Sequence, residues 1–131
     1  MATPITILVI DDEALIGDFI AEVLEEEGYR VVTAVGGAQA LTILASLNPQ
    51  LILMDMFMPG MSAMELLEQF RVAPGWRPIP VMLMSASASV DALVLQHGFA
   101  GFLVKPFDID VLLERVKEVL ARFVPGADGL T

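Results

Sequence analysis

Cysteine is absent from the chain, which excludes a disulfide framework and any thiolate-held metal. Cations are scarce. Only 7 Lys and Arg stand against 17 Asp and Glu, for a formal net charge of −10. Neutralising nucleic-acid phosphates takes clustered Lys and Arg, so direct binding of nucleic acid is not expected. Long apolar runs are missing too. Hydrophobic residues make up 56% of the 131 positions and mean hydropathy is +0.71, yet no run approaches the ~18 residues of a membrane span. The start, Met1-Ala2-Thr3-Pro4, places no basic stretch before the first apolar run. Neither a signal peptide nor a membrane association is expected, and the expected compartment is the cytoplasm. The length suits one domain with a proper core.

What the chain does have is four short apolar runs, each ending on a residue able to do chemistry. ITILVI (5–10) ends on Asp11-Asp12, LILM (51–54) on Asp55, VMLM (81–84) on Ser85, and FLV (102–104) on Lys105. Runs without polar alternation suit strands buried on both faces of a parallel sheet. Parallel strands share one C-terminal edge, where open α/β sheets carry their sites. Three carboxylates, a hydroxyl and an ammonium are expected to converge there.

Strands are expected at Ile5–Ile10, Arg30–Ala34, Leu51–Met54, Ile79–Met84 and Gly101–Val104. A first helix follows Asp12, a candidate N-cap, with Leu15, Ile16, Phe19, Ile20, Val23 and Leu24 as its apolar stripe and Gly28 as its stop. Glu22, Glu25, Glu26 and Glu27 form its solvated acidic surface. Further helices are expected over Ala38–Leu47, closed by Asn48-Pro49, and over Met64–Val72. A weaker one covers about Val90–Gln96, and a last one runs from Ile109 to Phe123. Leu112, Leu113, Val116, Val119, Leu120 and Phe123 share a stripe of that last helix.

This is β/α alternation five times over. Right-handed crossovers then put five helices on the two faces of a five-stranded parallel sheet. Periodicity leaves the strand order open, but the polar Arg30–Ala34 run suits an edge, as in the order 2-1-3-4-5. In that order the first and third strands are neighbours, and Asp11, Asp12 and Asp55 flank the point where the chain reverses direction.

Three clustered carboxylates raise one another's pKa and need a cation. Oxygen-only ligation suits Mg²⁺, which binds through one or two carboxylates, waters and substrate phosphate. Asp55 is the natural nucleophile, since a carboxylate attacking phosphorus gives an aspartyl phosphate. Lys105 and the cation supply the charge neutralisation that phosphoryl transfer needs, and Ser85 can donate to a phosphoryl oxygen. Taken singly, Asp11-Asp12 reads equally as strand-end caps, Ser85 as a turn residue and Lys105 as a surface lysine. It is the set that points to chemistry.

IDDEALIGDFI, ILMDMFMPGM, VMLMSASA and GFLVKPF resemble, in this order, the four motif blocks of response-regulator receiver domains, the aspartate phosphoacceptors of two-component signalling. The resemblance runs from Ile5 to about Phe123. It implies a flavodoxin-like, doubly wound receiver domain over 1–123 and a flexible tail over 124–131. Asp55 is then the phosphorylation site, served by a sensor histidine kinase or a histidine phosphotransfer protein. Asp12 holds Mg²⁺ directly, Asp11 holds it through water, and the Phe57 backbone carbonyl adds a ligand. Ser85 and Lys105 contact the phosphoryl group, Lys105-Pro106 is cis, and the small Ala86 leaves room for the phosphate. A switch would couple Ser85 to Phe102 and reshape the face made by the Val90–Gln96 helix, the last strand and the last helix. Such a module is not an enzyme beyond its own phosphorylation and dephosphorylation. It signals to a downstream protein or a fused output domain, as a monomer or a phosphorylation-dependent dimer.

The sequence departs from the family pattern at several points. Ala63 stands where the family often has Gly, and Phe57 and Ser87 flank the route of attacking water. Phe102 lacks the hydroxyl of the Tyr that many relatives carry, and also reads as an ordinary half-buried strand residue. Phe99-Ala100-Gly101-Phe102 has none of the acids that DNA-binding relatives use in a charged dimer interface. An aspartate-based phosphatase of the haloacid-dehalogenase type needs a second acid two residues after the nucleophile, and Phe57 occupies that place. The other competing reading is a receiver-like interaction module working without phosphate.

Overall fold

Unbroken Ile, Leu, Val and Met runs build the centre of the sheet. The computed structural model describes residues 4–73, 78–86 and 98–124. Strands β1 (Thr6–Ile10), β2 (Arg30–Ala34), β3 (Leu51–Asp55), β4 (Val81–Ser85) and β5 (Gly101–Val104) are all parallel. Their order is β2-β1-β3-β4-β5, the order that the polar second strand suggested. Every residue of β3 and β4 is buried, whereas β2 and β5 keep partly exposed positions as edges. Helices α1 (Ala14–Glu26), α2 (Gly37–Leu44), α3 (Ala63–Val72) and α4 (Ile109–Phe123) are the four among the described residues. The helix expected over Val90–Gln96 lies outside the described residues, as do residues 125–131 of the expected tail. No helix among the described residues is long and apolar enough to cross a membrane.

Strand alternation sorts the core into two layers. Leu8, Ile10, Ile52, Met54 and Leu83 join Ala40 of α2 and Leu66 and Phe70 of α3. Ile7, Val9, Leu51, Leu53, Met82 and Met84 join Ile20 and Leu24 of α1 and Leu112, Val116 and Leu120 of α4. Helices thus cover both faces, as right-handed crossovers require.

Three local expectations are corrected. Leu15 and Phe19 of the α1 stripe are 85% and 49% exposed, while Gly17, Ile20, Val23 and Leu24 are buried. At about 100° per residue, Gly17, Ile20 and Leu24 lie within about 60° of one another and Leu15 lies nearly opposite them. The apolar positions span a wider arc than the sheet covers. The N-cap of α1 is Glu13, not Asp12, and its backbone N–H donates to Asp11 Oδ1 at 2.9 Å. Helix α2 stops at Leu44 rather than Leu47, although Leu47 N–H still donates to the Ile43 carbonyl at 2.9 Å. Gly28 does end the first helical segment, at φ +95°, a conformation that L side chains rarely adopt.

Candidate functional site

The backbone ladder continues past the strand ends and fixes each functional residue. Asp11 N–H donates to Ala34 O at 3.0 Å, Met56 N–H to Met84 O at 2.8 Å, and Lys105 N–H to Ser85 O at 2.7 Å. Asp55 pairs in register with Met84, and Ser85 with Val104. Four neighbouring strands therefore deliver Asp11, Asp55, Ser85 and Lys105 to one edge, at the point where the chain reverses between β1 and β3. Asp55 and Ser85 are 8% and 1% exposed.

The charges interlock. Lys105 Nζ donates to Asp11 Oδ2 at 2.9 Å and lies 3.6 Å from Asp55 Oδ2. The Asp11 side chain is fully enclosed and its other oxygen accepts the Glu13 N–H, so both oxygens are engaged. Asp12 is exposed, yet Asp11, Asp12 and Asp55 each offer an oxygen within 4.8 Å of the others. Burial pushes the Asp55 carboxyl up to about 6. Lys105 pulls it down, and Asp11 and Asp12 push it up again. Burial alone would lower the Lys105 ammonium, but its hydrogen bond to Asp11 and the Asp55 charge hold it above the usual lysine range.

Three hard oxygens around one point, with a single ammonium between two of them, leave negative charge uncompensated. The donor chemistry fits a divalent cation such as Mg²⁺, and Asp11, Asp12 and Asp55 are the residues able to hold it. Lys105 is not a stray surface lysine. The Phe57 side chain stands 68% exposed beside this edge. Phe102 is half-buried and packs into the α2/α3 layer, in register with Leu83. Lys105-Pro106 is cis, and Ala86 is exposed at the rim. Ser87 lies outside the described residues.

One positioning device lies outside the four motif blocks. Ser62 caps α3, accepting the Glu65 N–H and donating to the Glu65 carboxylate, both at 3.2 Å. The S-x-x-E spacing announces such a box, and it anchors the loop that leaves Asp55. Glu13, which ties α1 to Asp11 through its backbone alone, had no side-chain signal to find.

A family model for the response regulator receiver domain matches residues 7–117. The Pseudomonas aeruginosa phosphate regulon transcriptional regulatory protein PhoB is 36% identical over 123 residues, 92% of this chain and 54% of the relative. The chain thus spans about half the length of that relative. Sporulation initiation phosphotransferase F of Bacillus subtilis is 36% identical over 116 residues, 87% of this chain and 92% of the relative. Among solved structures, the Thermotoga maritima response regulator TrrA in complex with Mg²⁺ and beryllofluoride superposes with a TM-score of 0.77 at 34% identity. That match covers 88% of this chain and 99% of the other. With the family model covering most of its length and the parallel order β2-β1-β3-β4-β5, this chain belongs to the response regulator receiver domain family.

Proposed function

We propose that this chain is a phosphorylation-switched module of a two-component phosphorelay, with Asp55 as phosphoacceptor. The observation that carries the reading is Lys105 Nζ held 2.9 Å from Asp11 and 3.6 Å from Asp55, inside a cluster of three acids. An Asp55 oxygen attacks the phosphorus of a phosphohistidine on a sensor kinase or phosphotransfer protein. The P–N bond breaks as the P–O bond forms, and the imidazole leaves. Asp12 directly, Asp11 through water, Asp55 and the Phe57 carbonyl would hold Mg²⁺, which supplies charge neutralisation for the transferring group. Lys105 stays within reach of a phosphoryl oxygen on Asp55, and Ser85, at the adjacent strand end, donates to another.

The readout follows from packing. Drawn toward the new anion, the Ser85 hydroxyl vacates space that the Phe102 ring enters, two residues along in the register of the same strand pair. With no hydroxyl to desolvate, Phe102 turns at lower cost than a tyrosine would. The face to which β5 and α4 contribute changes shape and meets a protein partner or a fused output domain in the cytoplasm. The proposed receiver spans residues 1–123, and Val124, expected in the tail, still donates its N–H to the Leu120 carbonyl at 2.9 Å and packs on the α1/α4 layer.

The test is incubation with acetyl phosphate or beryllofluoride, with and without Mg²⁺. The expected result is a Mg²⁺-dependent gain of one phosphoryl group, absent in Asp55→Asn. No Mg²⁺-dependent change in the wild type would sink the proposal.

A further inference from the structure

Methionine is concentrated where the phosphoacceptor segment leaves the sheet. Met54 lies in β3, Met56, Met58 and Met61 follow it, Met64 stands in the first turn of α3, and all join the layer that includes α2 and α3. Their exposure differs. Met54 is fully buried, Met56 and Met58 are 8% exposed, and Met61 and Met64 are half-buried. Met82 and Met84 of β4 are fully buried.

Met61 also has a fitted seat. It follows Gly60, which turns the chain at φ +84°, and it lies along Gly37, the buried first residue of α2. A Cβ built on Gly37 would stand 2.7 Å from Met61 Sδ, 3.3 Å from its Cβ and 3.4 Å from its Cγ. The backbone there asks for no glycine conformation. What Gly37 lacks is a side chain, and the Met61 thioether fills that space. The contact ties the 56–61 segment, which carries Phe57, to the start of α2.

We infer that Met61 is an oxidation site, and that its thioether against Gly37 is a latch that oxidation opens. A hydroperoxide transfers its terminal oxygen to Sδ. The O–O bond breaks, the S–O bond forms, and water or an alcohol leaves; the sulfur is oxidised and the peroxide reduced. The sulfoxide is bulkier and polar, and it needs a hydrogen-bond donor. With Sδ 2.7 Å from the place of a Gly37 Cβ, the thioether has no room on that side for an added oxygen, so the oxidised side chain turns out of its seat. The segment beyond Asp55 then loosens, and reduction of the sulfoxide restores it. The consequence for signalling rests on the phosphoacceptor reading: a displaced Phe57 carbonyl weakens the cation site, and oxidant exposure turns the receiver down.

Graded hydrogen peroxide on the intact chain tests this, with peptide mapping by mass spectrometry and hydrogen exchange over 56–62. Met61 is expected to become sulfoxide before Met54, Met82 and Met84, with amide exchange in the segment about tenfold faster. Met61→Leu, of similar volume and not oxidisable, should keep slow exchange after peroxide. Gly37→Ala should reproduce the fast exchange without oxidant. In the second arm, oxidation should weaken Mg²⁺-dependent beryllofluoride binding about tenfold, as loss of a ligand-supporting contact does, and Met61→Leu should resist. A Met61 left unoxidised while Met64 reacts, or a Met61 sulfoxide with unchanged exchange, overturns the latch. A wild type that binds no beryllofluoride overturns the phosphoacceptor reading instead, and the exchange arm still decides the latch.

Discussion

Asp11, Asp12 and Asp55 and the run Glu22, Glu25, Glu26 and Glu27 carry the same carboxylate, yet they sit in opposite surroundings. The glutamates are all exposed on α1 and its C-cap, with one lysine contact, Lys117 Nζ to Glu27 Oε1 at 3.8 Å. In the aspartate group Asp11 and Asp55 are buried, Lys105 is wedged between them, and Asp55 is pushed up to about 6. The difference teaches what separates a solvated acidic face from a site. Number of charges does not do it, since both groups are dense. Enclosure does, because water screens every glutamate of the first group but is largely kept from Asp11 and Asp55 in the second.

Taking away the enclosed cation should break the comparison most strongly. Lys105→Met leaves Asp11, with a fully enclosed side chain, and Asp55 without their ammonium. Breaking a buried pair by removing one partner leaves a charge uncompensated, and a loss of about 2–3 kcal/mol in metal-free buffer at neutral pH is expected. Urea unfolding measures it. Added Mg²⁺ should recover part of the loss, and a loss no larger than that of a surface lysine variant would mean the cluster is as solvated as the glutamates.

The pH dependence comes next. The unfolded chain ionises Asp55 near 3.8, while the folded one holds the proton to about 6. Between those values the native state binds more protons, so the contribution of this group is fully present below about pH 4 and lost as pH rises through 6. Wild type in chelator should lose on the order of 2 kcal/mol relative to Asp55→Asn across that window. A stability difference that stays flat with pH would contradict the enclosure of Asp55.

How far the sequence disclosed this contrast depends on the physics involved. The continuous apolar runs announced the buried strands, and the polar residue closing each run announced the shared edge, because period and chain direction act locally. The rotation of α1 was not legible. Leu15, Phe19, Ile20 and Leu24 are equally apolar, and only the sheet's placement decides which of them are covered. Nor did the sequence show that Asp11 spends one oxygen on the Glu13 N–H and the other on Lys105, since that depends on residues 94 positions apart meeting. Ser62-x-x-Glu65 was legible, because capping is written within one turn.

Phe57 offers a smaller effect at the border between enclosure and water. Its side chain is 68% exposed beside the acid edge, and on the proposed phosphoacceptor reading a bulky ring there would restrict the approach of water to an acyl phosphate on Asp55. Phe57→Asn should shorten the half-life of the phosphorylated form about threefold to tenfold, or about 1 kcal/mol in barrier. Decay of the phosphorylated mass or of a radiolabel measures it, and an unchanged half-life removes Phe57 from any shielding role.

The smallest effect is expected among the glutamates. The Lys117–Glu27 contact is long, and its side chains are 64% and 38% exposed, so Glu27→Gln should cost under about 0.5 kcal/mol and nothing at high salt. The chain supplies its own probe for this change. Tyr29 is the single tyrosine, and its phenol is held above 10.0 first by burial and then by the charge of Glu27. Removing that charge should lower the Tyr29 titration slightly, followed by tyrosinate absorbance, while burial keeps most of the upward shift. Salt should shrink even this difference. A full return of Tyr29 to its ordinary value would instead mean that Glu27 acts across a poorly screened path, and the line drawn between the two carboxylate groups would move to include it.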